Sequence, residues 1–161
     1  LIEAVIFDLD GVIVDSEQVW ERVRRRFVEL HGGKWRPDTS RHMQGVSTRE
    51  WAHYLVAGLG VRLSDDEVAG QVIDEMKADY ERDLPLVPGA AAAVRELSAA
   101  WPLAVASGSP KSLIEAVLDR ASIRGAFQLL ISCDEVAAGK PAPDVYLEAA
   151  RRLNVSVERC V

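Results

Sequence analysis

Ala4-Val5-Ile6-Phe7-Asp8-Leu9-Asp10-Gly11-Val12 opens as an apolar run and then turns to two carboxylates and a glycine. Consecutive apolar residues over so short a length read as a strand buried on both faces, as in a parallel sheet. Ligands of such sheets bind beyond the carboxyl ends of the strands. Asp8 and Asp10 therefore sit where a crevice is expected, and Gly11 lets the chain leave sharply. The plainer reading of Asp-Leu-Asp-Gly is a strand-ending turn, for which Asp and Gly are favoured.

Two later runs, Leu103-Ala104-Val105-Ala106 and Leu129-Leu130-Ile131, have the same buried character. Each leads into a helical pattern. Ser109 is placed to cap the first of these helices, with Pro110 in its first turn, where a missing amide costs nothing. A Gly/Pro-rich turn leads to Asp144 and a helix over Val145 to Leu153. Strands alternating with helices predict an α/β fold with a doubly wound, parallel, Rossmann-like core.

Residues 15–86 contain no convincing strand. Val19, Trp20, Val23, Phe27 and Leu30 fall on one face at helical spacing. Ser47-Thr48-Arg49-Glu50 and Ser64-Asp65-Asp66-Glu67 have the form of capping boxes, starting helices that run through Leu55 and to about Tyr80. This predicts a discontinuous core, residues 1–14 and 87–161, with an α-helical cap domain inserted over 15–86. The chain returns through the stiff connector Leu84-Pro85-Leu86-Val87-Pro88-Gly89.

The composition of the 161 residues is that of a soluble globular protein, and the net charge of -6 argues against nucleic acid and anionic membranes as partners. An anionic small molecule would need a local positive site. Two isolated cysteines, Cys133 and Cys160, read as buried thiols of a reduced, cytoplasmic protein. No apolar run approaches the length of a membrane span. Oligomeric state is not legible.

A carboxylate pair at a strand end suits phosphoryl transfer, with Asp8 as nucleophile and Asp10 as acid to the leaving group, then base to water. Repulsion between Asp8 and a phosphate is worth roughly 4 kcal/mol for each unit pair at ~4 Å and an effective dielectric near 20. The chemistry therefore demands cations. Mg²⁺, on the Asp8 side chain and the Asp10 main-chain carbonyl, meets part of that need. Ser107 and Gly108 follow the second run at a helix start, where a hydroxyl and an amide can bind phosphate. Lys140 follows the third and can neutralise both Asp8 and the phosphate. Taken singly, Ser107 is a turn residue and Lys140 a surface lysine. Lys111 competes as a phosphate ligand. The set, at three strand ends, carries the reading.

With these residues in place, the chain resembles the haloacid dehalogenase superfamily, in the branch with a helical cap after the first motif. That branch includes phosphoglycolate phosphatase, sugar-phosphate phosphatases and β-phosphoglucomutase. Asp8-Leu9-Asp10-Gly11-Val12, Ser107 and Lys140 match its first three motifs, and the flanking Val14-Asp15-Ser16-Glu17 and Gly139-Lys140-Pro141-Ala142-Pro143-Asp144 agree. The resemblance implies an Asp8 nucleophile, an Asp10 acid/base, a Mg²⁺ cofactor and phosphate held by Gly11, Ser107 and Gly108. Asp10 argues against dehalogenase activity, because dehalogenases lack the acid/base aspartate. In such proteins a fourth strand ends in an acidic pair that completes the metal site. Here the sequence stops at Glu158-Arg159-Cys160-Val161, where that strand should start. The resemblance thus predicts missing C-terminal core strands, weak metal binding, little activity and an exposed edge beside the first strand.

Substrate contacts are expected from Glu17 and Trp20 and from Gln44 to Arg49, with Arg49 gripping a carboxylate or second phosphate. Trp20 reads first as packing and Arg49 equally as a solvated helix start. The expected substrate is a small phosphorylated metabolite, a sugar phosphate or phosphoglycolate-like ester. A phosphomutase is the alternative, although the mutases this chain resembles place a histidine in the first cap helix and Glu17 to Leu30 holds none. An inactive fragment that only binds is the third reading.

Overall fold

The computed structural model describes residues 1–161. Its sheet has three parallel strands in the order β1 (Val5–Phe7), β2 (Leu103–Ser107), β3 (Leu129–Ser132). All three coincide with the apolar runs read from the sequence. Every residue of β2 is buried, and its side chains alternate between two layers. Leu103 and Val105 join the main core, whereas Ala104 and Ala106 pack with Ile131, Cys133, Val145 and Ala149 on the opposite face. That face is covered by α7 (Asp144–Leu153), the other by α6 (Lys111–Arg120) among other elements.

Between β1 and β2 the chain forms α1 (Glu17–Leu30), α2 (Thr39–His42), α3 (Thr48–His53), which continues into a π-helical turn at Tyr54–Gly58, α4 (Asp65–Arg82) and α5 (Ala90–Ser98). Both expected capping boxes form. The Ser47 hydroxyl accepts from the Glu50 amide, the Ser64 hydroxyl from the Glu67 amide, and each Glu accepts from the Ser backbone in return. On α1 the buried face is Val19, Trp20, Val23, Arg24, Phe27 and Val28. Leu30, expected on it, is 70% exposed, because the face has rotated by one helical step to Val28 by the end of the helix. A single cluster of buried apolar side chains runs from Trp20 and Trp51 through Met76 to Leu113 and Leu118, joining the inserted helices to the sheet.

The expected open edge beside β1 is covered. Ile6 donates its amide to the Val161 carbonyl at 2.7 Å, Val161 donates to Ala4 at 3.1 Å, and Glu3 donates to Arg159 at 2.8 Å. The last residues lie alongside the start of β1 and pair the Glu3 and Ile6 amides and the Ala4 carbonyl. Cys133 is buried as expected; Cys160 is only half-buried. No helix is long and apolar enough to cross a membrane.

Candidate active site

β1 ends at Phe7, so Asp8 is the first residue past the carboxyl edge of the sheet. Its Oδ1 accepts from the Leu9 amide at 2.7 Å and its Oδ2 from Lys140 Nζ at 2.6 Å. The ammonium also donates to the Ala106 carbonyl at 3.1 Å, at the end of β2, and stands 5.0 Å from the centre of the Tyr146 ring. Burial opposes the lysine's charge, but attraction and hydrogen bonding from Asp8 and Tyr146 outweigh it and hold its pKa above the ordinary value. Lys140 is a cation built into the floor of the site.

Asp10 is held by four donors. Ser16 Oγ, at 2.6 Å, and Trp20 Nε1, at 3.0 Å, donate to Oδ1; Ser107 Oγ, at 3.1 Å, and Ser109 Oγ, at 2.8 Å, donate to Oδ2. These bonds explain a departure from the expected caps: α6 starts at Lys111 after Pro110 because Ser109 faces Asp10, and Ser16 likewise precedes α1 without capping it. Gly11 takes φ 77° and returns its amide to the Val14 carbonyl, the sharp exit expected of it.

These residues face a cleft of about 300 Å³. Asp8, Asp10, Gly11, Gly108 and Lys140 line it from the core, and Glu17 from α1, where it accepts from Gln44 at 3.0 Å. Ser107 does not line it. Fully buried behind Gly108, its hydroxyl is engaged by Asp10 and by the Ser109 amide. Arg49 lies outside as well, on a neighbouring groove with Asp65 and Asp134. The Thr48 amide donates to Asp134 at 2.8 Å and fixes the start of α3, so Trp51 turns into the cleft and Arg49, two residues earlier, lies about half a turn away. Ser16, Ser109, Trp51 and Arg24 belong to the site and were not singled out for it from the sequence. Arg24 was signalled: it stands four residues after Trp20 and three before Phe27, on the apolar stripe of α1.

The inserted helices are closed over the strand ends. A Cβ on Gly108 would lie 3.1 Å from the Gly45 carbonyl oxygen, and one on Gly45 would lie 3.2 Å from Lys140 Cβ. Only glycines allow the two backbones to approach this closely.

The oxygens available to a metal are the Asp8 carboxylate and the Asp10 main-chain carbonyl, which accepts no hydrogen bond. That hard-oxygen pair suits Mg²⁺, which keeps several waters and takes few protein ligands. No cluster of three or more His, Cys, Asp or Glu side chains is arranged for a metal. The chain itself thus offers two such oxygens.

Fold and site together define a phosphoric monoester hydrolase. The family model described as "Hydrolase: haloacid dehalogenase-like hydrolase" matches residues 2–161, and the chain belongs to that family. It is 33% identical to a phosphorylated carbohydrates phosphatase of Thermotoga maritima, over 99% of this chain and 74% of that one. It is 32% identical to hexitol phosphatase B of Escherichia coli, over 98% of this chain and 72% of that one. Among solved structures, CbbY of Rhodobacter sphaeroides in complex with xylulose-(1,5)bisphosphate superposes with a TM-score of 0.87 at 25% identity, over 100% of this chain and 76% of that one.

Proposed function

We propose that this protein is a Mg²⁺-dependent phosphatase of small sugar phosphates that works through an aspartyl-phosphate on Asp8. The observation that carries the proposal is the 2.6 Å Lys140–Asp8 contact at the rim of the sheet, beside an Asp10 carboxylate oriented by four donors. The Asp8 carboxylate attacks phosphorus, forming an Asp8–phosphorus bond as the ester bond breaks. Asp10 gives its proton to the departing sugar oxygen, then takes one from the water that attacks phosphorus and releases Asp8. Lys140 offsets the charge of nucleophile and phosphate throughout. Mg²⁺, held by Asp8 and the Asp10 carbonyl, supplies further positive charge to the phosphoryl oxygens when bound.

The donors to Asp10 fix the orientation of its carboxyl group. An indole N–H only donates, so Oδ1, facing Trp20, remains an acceptor. Oδ2 faces two serine hydroxyls, which can reverse from donor to acceptor. The sugar preference follows the named activities of the two phosphatase relatives and the carboxylates of Glu17 and Glu21 in the cleft, which accept from sugar hydroxyls.

The test is phosphate release from a panel of sugar phosphates by the intact protein with Mg²⁺. Asp8→Asn is expected to reduce kcat at least about a thousandfold with the fold unchanged by circular dichroism. Turnover that survives Asp8→Asn would remove the nucleophile. Interconversion of sugar phosphates without release would favour a mutase.

A further inference from the structure

Arg24 is the one arginine taken into the interior of the molecule. It is 8% exposed, and its guanidinium lies 4.0 Å from the Trp20 ring centre and 4.7 Å from that of Trp51. Its neighbours in sequence behave differently: Arg22 pairs with Asp79, Arg25 with Glu29 and Arg26 with Glu75, all with exposed guanidinium groups. Arg24 forms no ion pair within 4.0 Å and donates no hydrogen bond, and its Nε is buried with no partner. Its side chain lines the cleft that holds Asp8 and Lys140. Burial pulls its pKa down to about 9, with Asp10 and Tyr80 pulling back, so the group is still a cation at neutral pH.

A guanidinium presents five N–H donors in a planar fork that matches carboxylate and phosphate. Stacking on indole rings satisfies its faces and leaves those edge donors unused. A buried cation kept without a partner is costly unless a ligand completes it. Lys140 and Asp8 already form the phosphoryl end of the cleft; Arg24 enters it from α1, beside Trp20, whose indole donates to Asp10.

We propose that Arg24 is a specificity residue that receives a second anionic group on the organic part of the phosphate ester, a carboxylate or a second phosphate. This deepens the phosphatase reading and rests on it. Among small sugar phosphates, the preferred substrates are then phosphorylated sugar acids or sugar bisphosphates.

The test compares matched ligands by calorimetry on the intact Asp8→Asn protein, where binding is measured without turnover. 6-Phosphogluconate and glucitol 6-phosphate differ only in a carboxylate against a hydroxymethyl group. Fructose 1,6-bisphosphate and fructose 6-phosphate differ by a phosphate. The doubly anionic member of at least one pair should bind at least about tenfold more tightly, and the pair that shows the preference identifies the anion. Arg24→Met should bring that ratio close to one. Arg24→Lys, which keeps charge but loses the fork, should retain part of it and carries the test if the methionine variant does not fold. Absence of a preference in both pairs, or a preference unchanged in these variants, overturns the inference while free inorganic phosphate still binds. Failure of phosphate itself to bind would overturn the phosphoryl site and the inference together.

Discussion

Lys140 keeps its charge in a site that is mostly closed to water because Asp8 is there to receive it. Its pKa in the folded protein is above the ordinary 10.5. The contribution of the pair to stability is therefore fully present below that unfolded value and is lost as pH rises through the higher folded one. Lys140→Met should cost about 1.5–3 kcal/mol, the worth of a hydrogen bond to a charged group. The melting-temperature gap to the parent should be flat between about pH 7 and pH 10 and narrow only above that range. A gap that closes below about pH 9 would show that the ion pair is not what the variant removes. At this scale the sequence was informative where chemistry sits at strand ends: Asp8, Asp10, Gly108 and Lys140 all line one cleft. It was uninformative about which partner a side chain selects. Nothing local says that the Ser107 hydroxyl turns to Asp10; the apolar stripe of α1 marks Arg24 as different from its solvated neighbours Arg22, Arg25 and Arg26, but not that it stacks on two indoles.

Capping boxes were readable because they are local, each requiring only four consecutive residues in the right order. Ser64→Ala should lower stability by about 1 kcal/mol in urea titration without changing phosphate affinity, since the start of α4 lies away from the cleft. The Ala90–Ala93 run gives α5 the alanine content of a good helix, although no helix was expected there, whereas α2, a four-residue helix, has no periodicity to read. Closure of the helices over the sheet was illegible, because it depends on contacts between loops far apart in the chain. It meets at glycines. Gly108→Ala would place a methyl 3.1 Å from the Gly45 carbonyl and push the 44–47 loop off Lys140. Misplacement of this size should cost about tenfold in kcat/KM with little change in melting temperature. Unchanged kcat/KM in that variant would mean that this contact is not needed in turnover.

The inserted helices and the main face of the sheet share one buried cluster, so they should unfold together. Trp20, Trp35 and Trp51 report on the helical segment and Trp101 on the core half. Tryptophan fluorescence and far-ultraviolet circular dichroism should therefore trace one coincident transition; two separated transitions would show that the halves are stable on their own. The boundary at residues 14 and 87 was drawn from the change of pattern along the sequence, and the shared core does not interrupt it with a gap. The most direct measurement for the whole account is rapid-quench mass spectrometry of the protein mixed with a sugar phosphate and Mg²⁺, followed by peptide mapping. One phosphoryl group should appear on the peptide that carries Asp8 within the first turnover and decay as phosphate is released. Steady phosphate release with no phosphoryl group on Asp8, or with one on another residue, would contradict it.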